Sequence, residues 1–361
     1  MPVIQHRGIS AKGRTVKKYE VAPAYSPLWK KLYAVAREFV QTEPWKLFYN
    51  TDVFIVQSPH DNQMYLCCVM GNGGQEFGLN AFRGARGMRG FYKMLDSGVS
   101  GSPDISVMYE LDMLSFSLCQ RDLLHKNDLT VIKKLMLSFP GGKWPLFRGY
   151  KPHYFPWFLT EDEIEPLCDC MEQTLALNER GDASLDDIRN APPGHMLVRR
   201  KENGAWVSRT VFVDDPGEEE TPEILLDDIT RRRLRNLPDN GLKEEIDLVH
   251  VPVPISDHEP PYYGLLLVGI NEEGVANQYG VFPPFTDYFW DSCNSLLQSF
   301  LSRGAKPRTV VLKNESSFAR VFEGIARDID ITCEWTNTLP HIADFVDTME
   351  QTMPDGSYAQ S

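Results

Sequence analysis

Read by its apolar positions, the last third of the chain alternates short β-branched runs with amphipathic stretches. Ile246 to Val253 puts Val249, Val251 and Val253 on one face, and Tyr263 to Ile270 is a continuous apolar run of the kind buried on both faces. Asn271-Glu272-Glu273-Gly274 supplies a turn, and Val275 to Phe282 completes a hairpin. From Thr286 onward Phe289, Cys293, Leu296, Leu297, Phe300 and Leu301 fall at helical spacing, with Gly304 ending the helix. Arg308 to Leu312 and Ile331 to Trp335 read as strands. Phe318 to Ile329 lies between them as a helix, and Leu339 to Met349 follows as another. Strands separated by helices of a dozen residues pair in parallel through crossovers rather than as hairpins. The pattern therefore predicts an α/β mixed-sheet domain over residues 241–355.

The first half is patterned differently. Ser26-Pro27 precedes a helical face of Leu28, Leu32, Val35, Ala36 and Phe39, and Pro44-Trp45 ends it. Val53 to Gln57, Met64 to Met70, Phe77 to Phe82 and Leu111 to Leu118 read as strands, and Gly84 opens a helix after the third of them. Leu129 to Leu137 is helical, and Thr160-Glu161-Asp162-Glu163 caps a helix running to about Leu177. This is an α+β N-terminal domain over residues 25–182, preceded by a basic arm over residues 1–24. Between the halves, residues 183–240 read as a hairpin, His195 to Lys201 with Ala205 to Val213, and a charged linker. That linker carries six acids among residues 214–223, then Arg231, Arg232, Arg233 and Arg235.

Composition narrows the function classes. The net charge of −13 argues against general nucleic-acid binding, which draws on a clustered excess of Lys and Arg. No run approaches the length of a membrane span, and the arm lacks the apolar stretch of a signal peptide. Of the seven cysteines, Cys67 and Cys68 are adjacent on a strand and point to opposite faces, while Cys168 and Cys170 diverge on a helix. Neither pair has zinc or redox spacing, so reduced thiols in a cytoplasmic protein are expected. His153, His195, His250 and His341 show no metal-ligand spacing, and no cofactor is expected.

Four features carry candidate chemistry. Gly71-Asn72-Gly73-Gly74 follows a strand but lacks the spacing of a phosphate loop, and a hairpin turn is its expected role. Arg83, Arg86 and Arg89, interleaved with Gly84, Gly87 and Gly90 at a helix start, form the candidate anion-binding set, because backbone amides and guanidinium groups both favour negative charge there. Trp144 to Tyr150, continued by His153 to Trp157, reads as an aromatic loop that either packs a gap or presents a partner surface. For a metal the candidates are Asp247, Asp291 and Asp347, with Glu315 and Asp344 as further acids. Asp247 falls at the start of its strand, where an acid is solvated, and the helical aspartates lie between apolar positions and face water.

Several motifs carry a resemblance. Trp45, Phe54-Ile55-Val56, Tyr65, Val69-Met70-Gly71, Phe77-Gly78-Leu79 and Arg83-Gly84 resemble the N-terminal domain of an uncharacterised two-domain bacterial family. Pro260-Pro261-Tyr262, Gly304-Ala305-Lys306-Pro307-Arg308, Val310-Val311-Leu312 and Thr338-Leu339-Pro340 are similar to the domain paired with it. The resemblance covers most of residues 25–350 and implies a cytoplasmic bacterial protein with no established activity. The C-terminal element order is also that of ribonuclease-H-like folds and resembles an integrase core, except that Lys313-Asn314 stands where such enzymes carry a metal-binding aspartate. The expectation is a non-catalytic binding or interaction module whose partner is a protein or small ligand. Its rival is a divalent-metal-dependent nuclease or nucleotidyl transferase.

Overall fold

The computed structural model describes residues 5–6, 20–24, 26–99, 106–178, 183–217 and 220–352. The basic arm lies mostly outside these, but two residues of it form a strand, β1 (Gln5–His6). Helix α1 (Leu28–Thr42) buries Trp29, Leu32, Tyr33, Val35, Ala36 and Phe39, the face its spacing predicts. It stops where Glu43 turns left-handed and Pro44 cannot continue the helix.

Seven strands make the first sheet. They are β2 (Phe54–Gln57), β3 (Met64–Met70), β4 (Gly78–Arg83), β5 (Met113–Cys119), β6 (Trp144–Tyr150), β7 (His195–Glu202) and β8 (Ala205–Phe212), in the order β6-β5-β4-β3-β2-β7-β8. All pair antiparallel except β2 with β7, which run parallel. Alternation divides the side chains between two cores. Phe54, Val56, Cys67, Val69 and Phe116 face α1 and the helix α5 (Glu161–Asn178), whereas Ile55, Leu66, Cys68, Phe82 and Met113 face α2 (Gly84–Val99). Two short helices, α3 (Ser106–Tyr109) and α4 (Lys126–Lys134), lie in the connections flanking β5.

Two expectations change here. The segment Trp144 to Tyr150, read as a loop, is the edge strand β6: its residues alternate between buried and half-buried, and an edge tolerates the N–H that Pro145 lacks. The hairpin read as part of a linker adds two strands to the sheet, because Ile55 and Val56 pair with Val198 and Arg199.

The chain then passes through α6 (Leu185–Arg189), which precedes that hairpin, and β9 (Ile224–Leu225), which pairs with β1, into α7 (Asp228–Arg235). Ile224, Leu226 and Leu234 are buried in the C-terminal core, so this stretch belongs to the second domain and is not a free linker. The second sheet holds β10 (Lys243–His250), β11 (Leu265–Asn271), β12 (Ala276–Phe282), β13 (Thr309–Lys313) and β14 (Thr332–Thr336), ordered β12-β11-β10-β13-β14. The first three form an antiparallel meander, and β13 and β14 join in parallel. Helices α8 (Tyr288–Arg303) and α9 (Ser317–Asp328) pack on the face carrying Ile246, Leu267, Val310 and Leu312. The last helix, α10 (Pro340–Thr352), packs on the opposite face against Leu266, Val268 and Val311. The whole is mixed α and β with two mixed sheets. No helix among the described residues is long and apolar enough to cross a membrane.

Candidate functional site

In the second sheet the chain leaves β10 toward β11 and β12, then returns across to β13 on the other side. The crevice at the carboxyl ends of β10 and β13 is thus the topological switch point, where open α/β sheets place ligands. Asp247 stands there. The first strand begins at Lys243, three residues earlier than the valine pattern indicated, so Asp247 lies in mid-strand and is only 9% exposed rather than solvated. Its Oδ1 accepts from Ser316 Oγ at 2.6 Å and from its neighbour Leu248 N at 2.9 Å. Ser316 is also the N-cap of α9. Burial pushes the Asp247 carboxyl up, the Ser316 and Leu248 hydrogen bonds and the Lys313 charge pull it back, and Glu110 pushes it up again.

Glu110 belongs to the other domain, at the end of α3, so the N-terminal domain closes on this crevice. From α2, Arg86 sets its charge against His153 and Tyr288, and Arg89 lies within electrostatic reach of Arg320 on α9. Burial, then the like charges of Arg86 and Arg320, lower the Arg89 guanidinium. Arg89 Nη1 donates to the Pro216 carbonyl at 3.0 Å.

Beside the charged group is an aromatic seam. Nδ1 of His153 lies 2.9 Å from Nε2 of His250, with the rings stacked at 5.1 Å and 25°. Tyr109 packs on His250 at 4.6 Å and on Tyr263 at 4.5 Å, and the Tyr288 hydroxyl is 3.5 Å from His153 Nε2. Backbone bonds tie the seam: His153 N donates to Tyr109 O at 2.6 Å, Tyr263 N to His153 O at 2.7 Å, and Phe155 N to Pro261 O at 2.9 Å. His153 can reach both partners because its φ is 70°, left-handed. Burial drives both imidazoles toward neutrality. His153 falls well below the ordinary value, helped by the charges of His250 and Arg86, and His250 drops to about 4 although Glu110 opposes the shift.

The junction separates the residues that spacing had grouped. Arg86 and Arg89 reach it, while Arg83 is taken by its own domain: Nη2 bonds Glu163 Oε1 at 3.0 Å, and Asp112 lies 3.7 Å from Nη1. Lys151 completes that internal cluster, 3.6 Å from Glu163. The glycines among the arginines serve packing, since a Cβ on Gly87 would sit 2.6 Å from the Asp112 carbonyl and from the Phe82 backbone. Asp291 is on α8 and Asp347 is exposed on α10, on opposite faces of the sheet, so the structure does not bring them to Asp247. Asp344 is exposed on α10, and Glu315 is exposed in the turn before α9. Among the described residues no group of three or more His, Cys, Asp or Glu side chains is placed to hold a metal ion. All seven cysteines are free thiols. Spacing gives no sign of Glu110 or Tyr288 and leaves His153 and His250 as scattered histidines without metal-ligand spacing; the density of aromatic residues around His153 is the pointer the sequence offers.

Residues 29–199 match the model of a domain of unknown function, DUF7309, and residues 230–350 match another, DUF6930. Two domains of unknown function cover the chain. No curated protein matches it. Among solved structures it is similar to the HTLV-2 integrase catalytic core domain in complex with magnesium, dimeric form, at 14% identity over 32% of this chain and 70% of that one, with a TM-score of 0.23. It is also similar to the simian T-cell lymphotropic virus intasome in complex with PP2A regulatory subunit B56 gamma, at 12% identity over half of each chain and a TM-score of 0.23. Likenesses at that level carry no argument about this chain.

Proposed function

We propose that the protein is a non-catalytic binding module, built on a ribonuclease-H-like C-terminal scaffold, that receives an anionic ligand at the crevice between its domains. The scaffold reading rests on the meander β10-β11-β12 with β13 and β14 added in parallel beside β10, and on three helices in the order the fold uses. One observation carries the functional reading. At the switch point Asp247 is already hydrogen-bonded by Ser316 and feels the charges of Lys313 and Glu110, and Glu110 in turn acts on Arg89, which has Arg86 and Arg320 as neighbouring charges. Two-metal phosphodiester chemistry needs several carboxylates converging on cations about 3.5–4 Å apart. A hard divalent cation also wants near-octahedral oxygens, which one occupied carboxylate beside a lysine does not offer.

Calorimetric titration with Mg²⁺ and Mn²⁺, together with a cleavage assay on single- and double-stranded nucleic acid, tests this. Metal binding no tighter than about millimolar, as for scattered carboxylates, and no cleavage are expected. Inorganic pyrophosphate should bind in a salt-dependent way and lose affinity in Arg86→Gln and Arg89→Gln. Because burial raises the Asp247 carboxyl, its ionised form opposes folding at neutral pH. Asp247→Asn should therefore leave stability unchanged or improve it by about 0.5–1 kcal/mol. A metal-dependent cleavage abolished by Asp247→Asn would replace this reading with the nuclease one.

A further inference from the structure

Apart from the junction, the N-terminal domain holds a cavity of about 240 Å³ between α1, α4 and β6, closed on one side by Val21 to Ala24. Four aromatic rings line it. Tyr33 meets Phe147 edge-on at 5.1 Å, Trp29 lies 6.2 Å from Phe147, and Phe158 forms a further wall with Arg148 stacked on it at 4.6 Å. Two polar groups also face the space. Tyr33 is 3% exposed, and its hydroxyl has no hydrogen-bond partner among the described residues. Burial and the Asp128 charge hold that phenol protonated, hence a donor. Because it lines the cavity, that hydroxyl is free to donate to whatever occupies the space. Asp128 accepts from His125 N and from both terminal nitrogens of Arg148, which leaves about one of its four lone-pair positions open.

We infer that this cavity binds a small planar heteroaromatic molecule carrying adjacent hydrogen-bond acceptor and donor groups. The rings take the faces and edges of the planar body by offset and edge contacts. Tyr33 donates to the ligand acceptor, and Asp128 receives the ligand N–H. At about 30 Å³ per water, the space equals eight waters, which admits a bicyclic ring of about ten non-hydrogen atoms.

The probe is 4(3H)-quinazolinone, whose carbonyl and N–H are adjacent, with quinoline as the control that lacks the donor. Ligand-detected NMR on the full chain should show saturable quinazolinone binding in the sub-millimolar range and weaker quinoline binding. Tyr33→Phe keeps the ring and removes the hydroxyl, so affinity should fall about tenfold. Thr130→Trp, at the exposed rim, should block entry while circular dichroism stays unchanged. Absence of saturable binding would overturn the inference, as would an affinity unaffected by Tyr33→Phe.

Discussion

The two imidazoles at the junction share one hydrogen bond, in which the N–H of one donates to the lone pair of the other. A second proton would set two N–H groups against each other beside Arg86. Both histidines are held below the ordinary value of 6.5, so the unfolded chain binds more protons than the native one as pH falls below that value. Stability is then full above about pH 6.5 and is lost as pH drops toward 4. His250 alone should contribute a loss of about 2 kcal/mol between pH 7 and pH 5. Thermal unfolding followed across that range should show the decline, and His250→Asn should flatten it. A melting temperature flat with pH in the native chain would contradict the neutral pair. None of this was readable from spacing, because His153 and His250 are 97 residues apart and meet only through the domain contact. The arginine triplet was half legible. Helical spacing placed Arg86 and Arg89, but the buried Glu163 that claims Arg83 lies 80 residues away.

At the level of elements, Gly87 and Gly324 make a natural pair. Both are helical, and alanine in place of a helical glycine ordinarily gains about 1 kcal/mol. At Gly324, on α9, nothing lies within 4 Å of the added Cβ, so Gly324→Ala should stabilise by about 0.5–1 kcal/mol. At Gly87 the methyl meets backbone of β4 and of Asp112, which cannot step aside, so Gly87→Ala should destabilise by about 1–3 kcal/mol as α2 is levered off the sheet. Urea denaturation of the two variants checks both signs. The helices and strands of the last third were legible because their apolar periods are clean and long. β6 was not, because a proline and a glycine within seven residues resemble loop chemistry, and only the pairing with β5 and the edge position make them tolerable.

For the whole molecule, the domain limits follow burial rather than charge. The acidic and arginine-rich stretch looked like a solvated linker, yet Leu234 is fully buried within α7 and Ile224 within β9. A fragment of residues 220–352 should therefore fold on its own, whereas one beginning at residue 241 should expose apolar core and unfold at lower denaturant; paired urea melts separate the two. Removing Ile224, Leu226 and Leu234 together strips three buried side chains worth about 1.5–3 kcal/mol each. The first sheet carries a different consequence, one of timing. β2 receives its parallel neighbour β7 only about 140 positions later, so on the ribosome four strands and five helices emerge while one flank of β2 remains an open template. At the usual pace of synthesis that interval lasts about 7–30 s, long enough for two nascent chains to pair by those flanks. Spacing ribosomes more widely on the message, which separates nascent chains, should then raise the soluble yield of this protein.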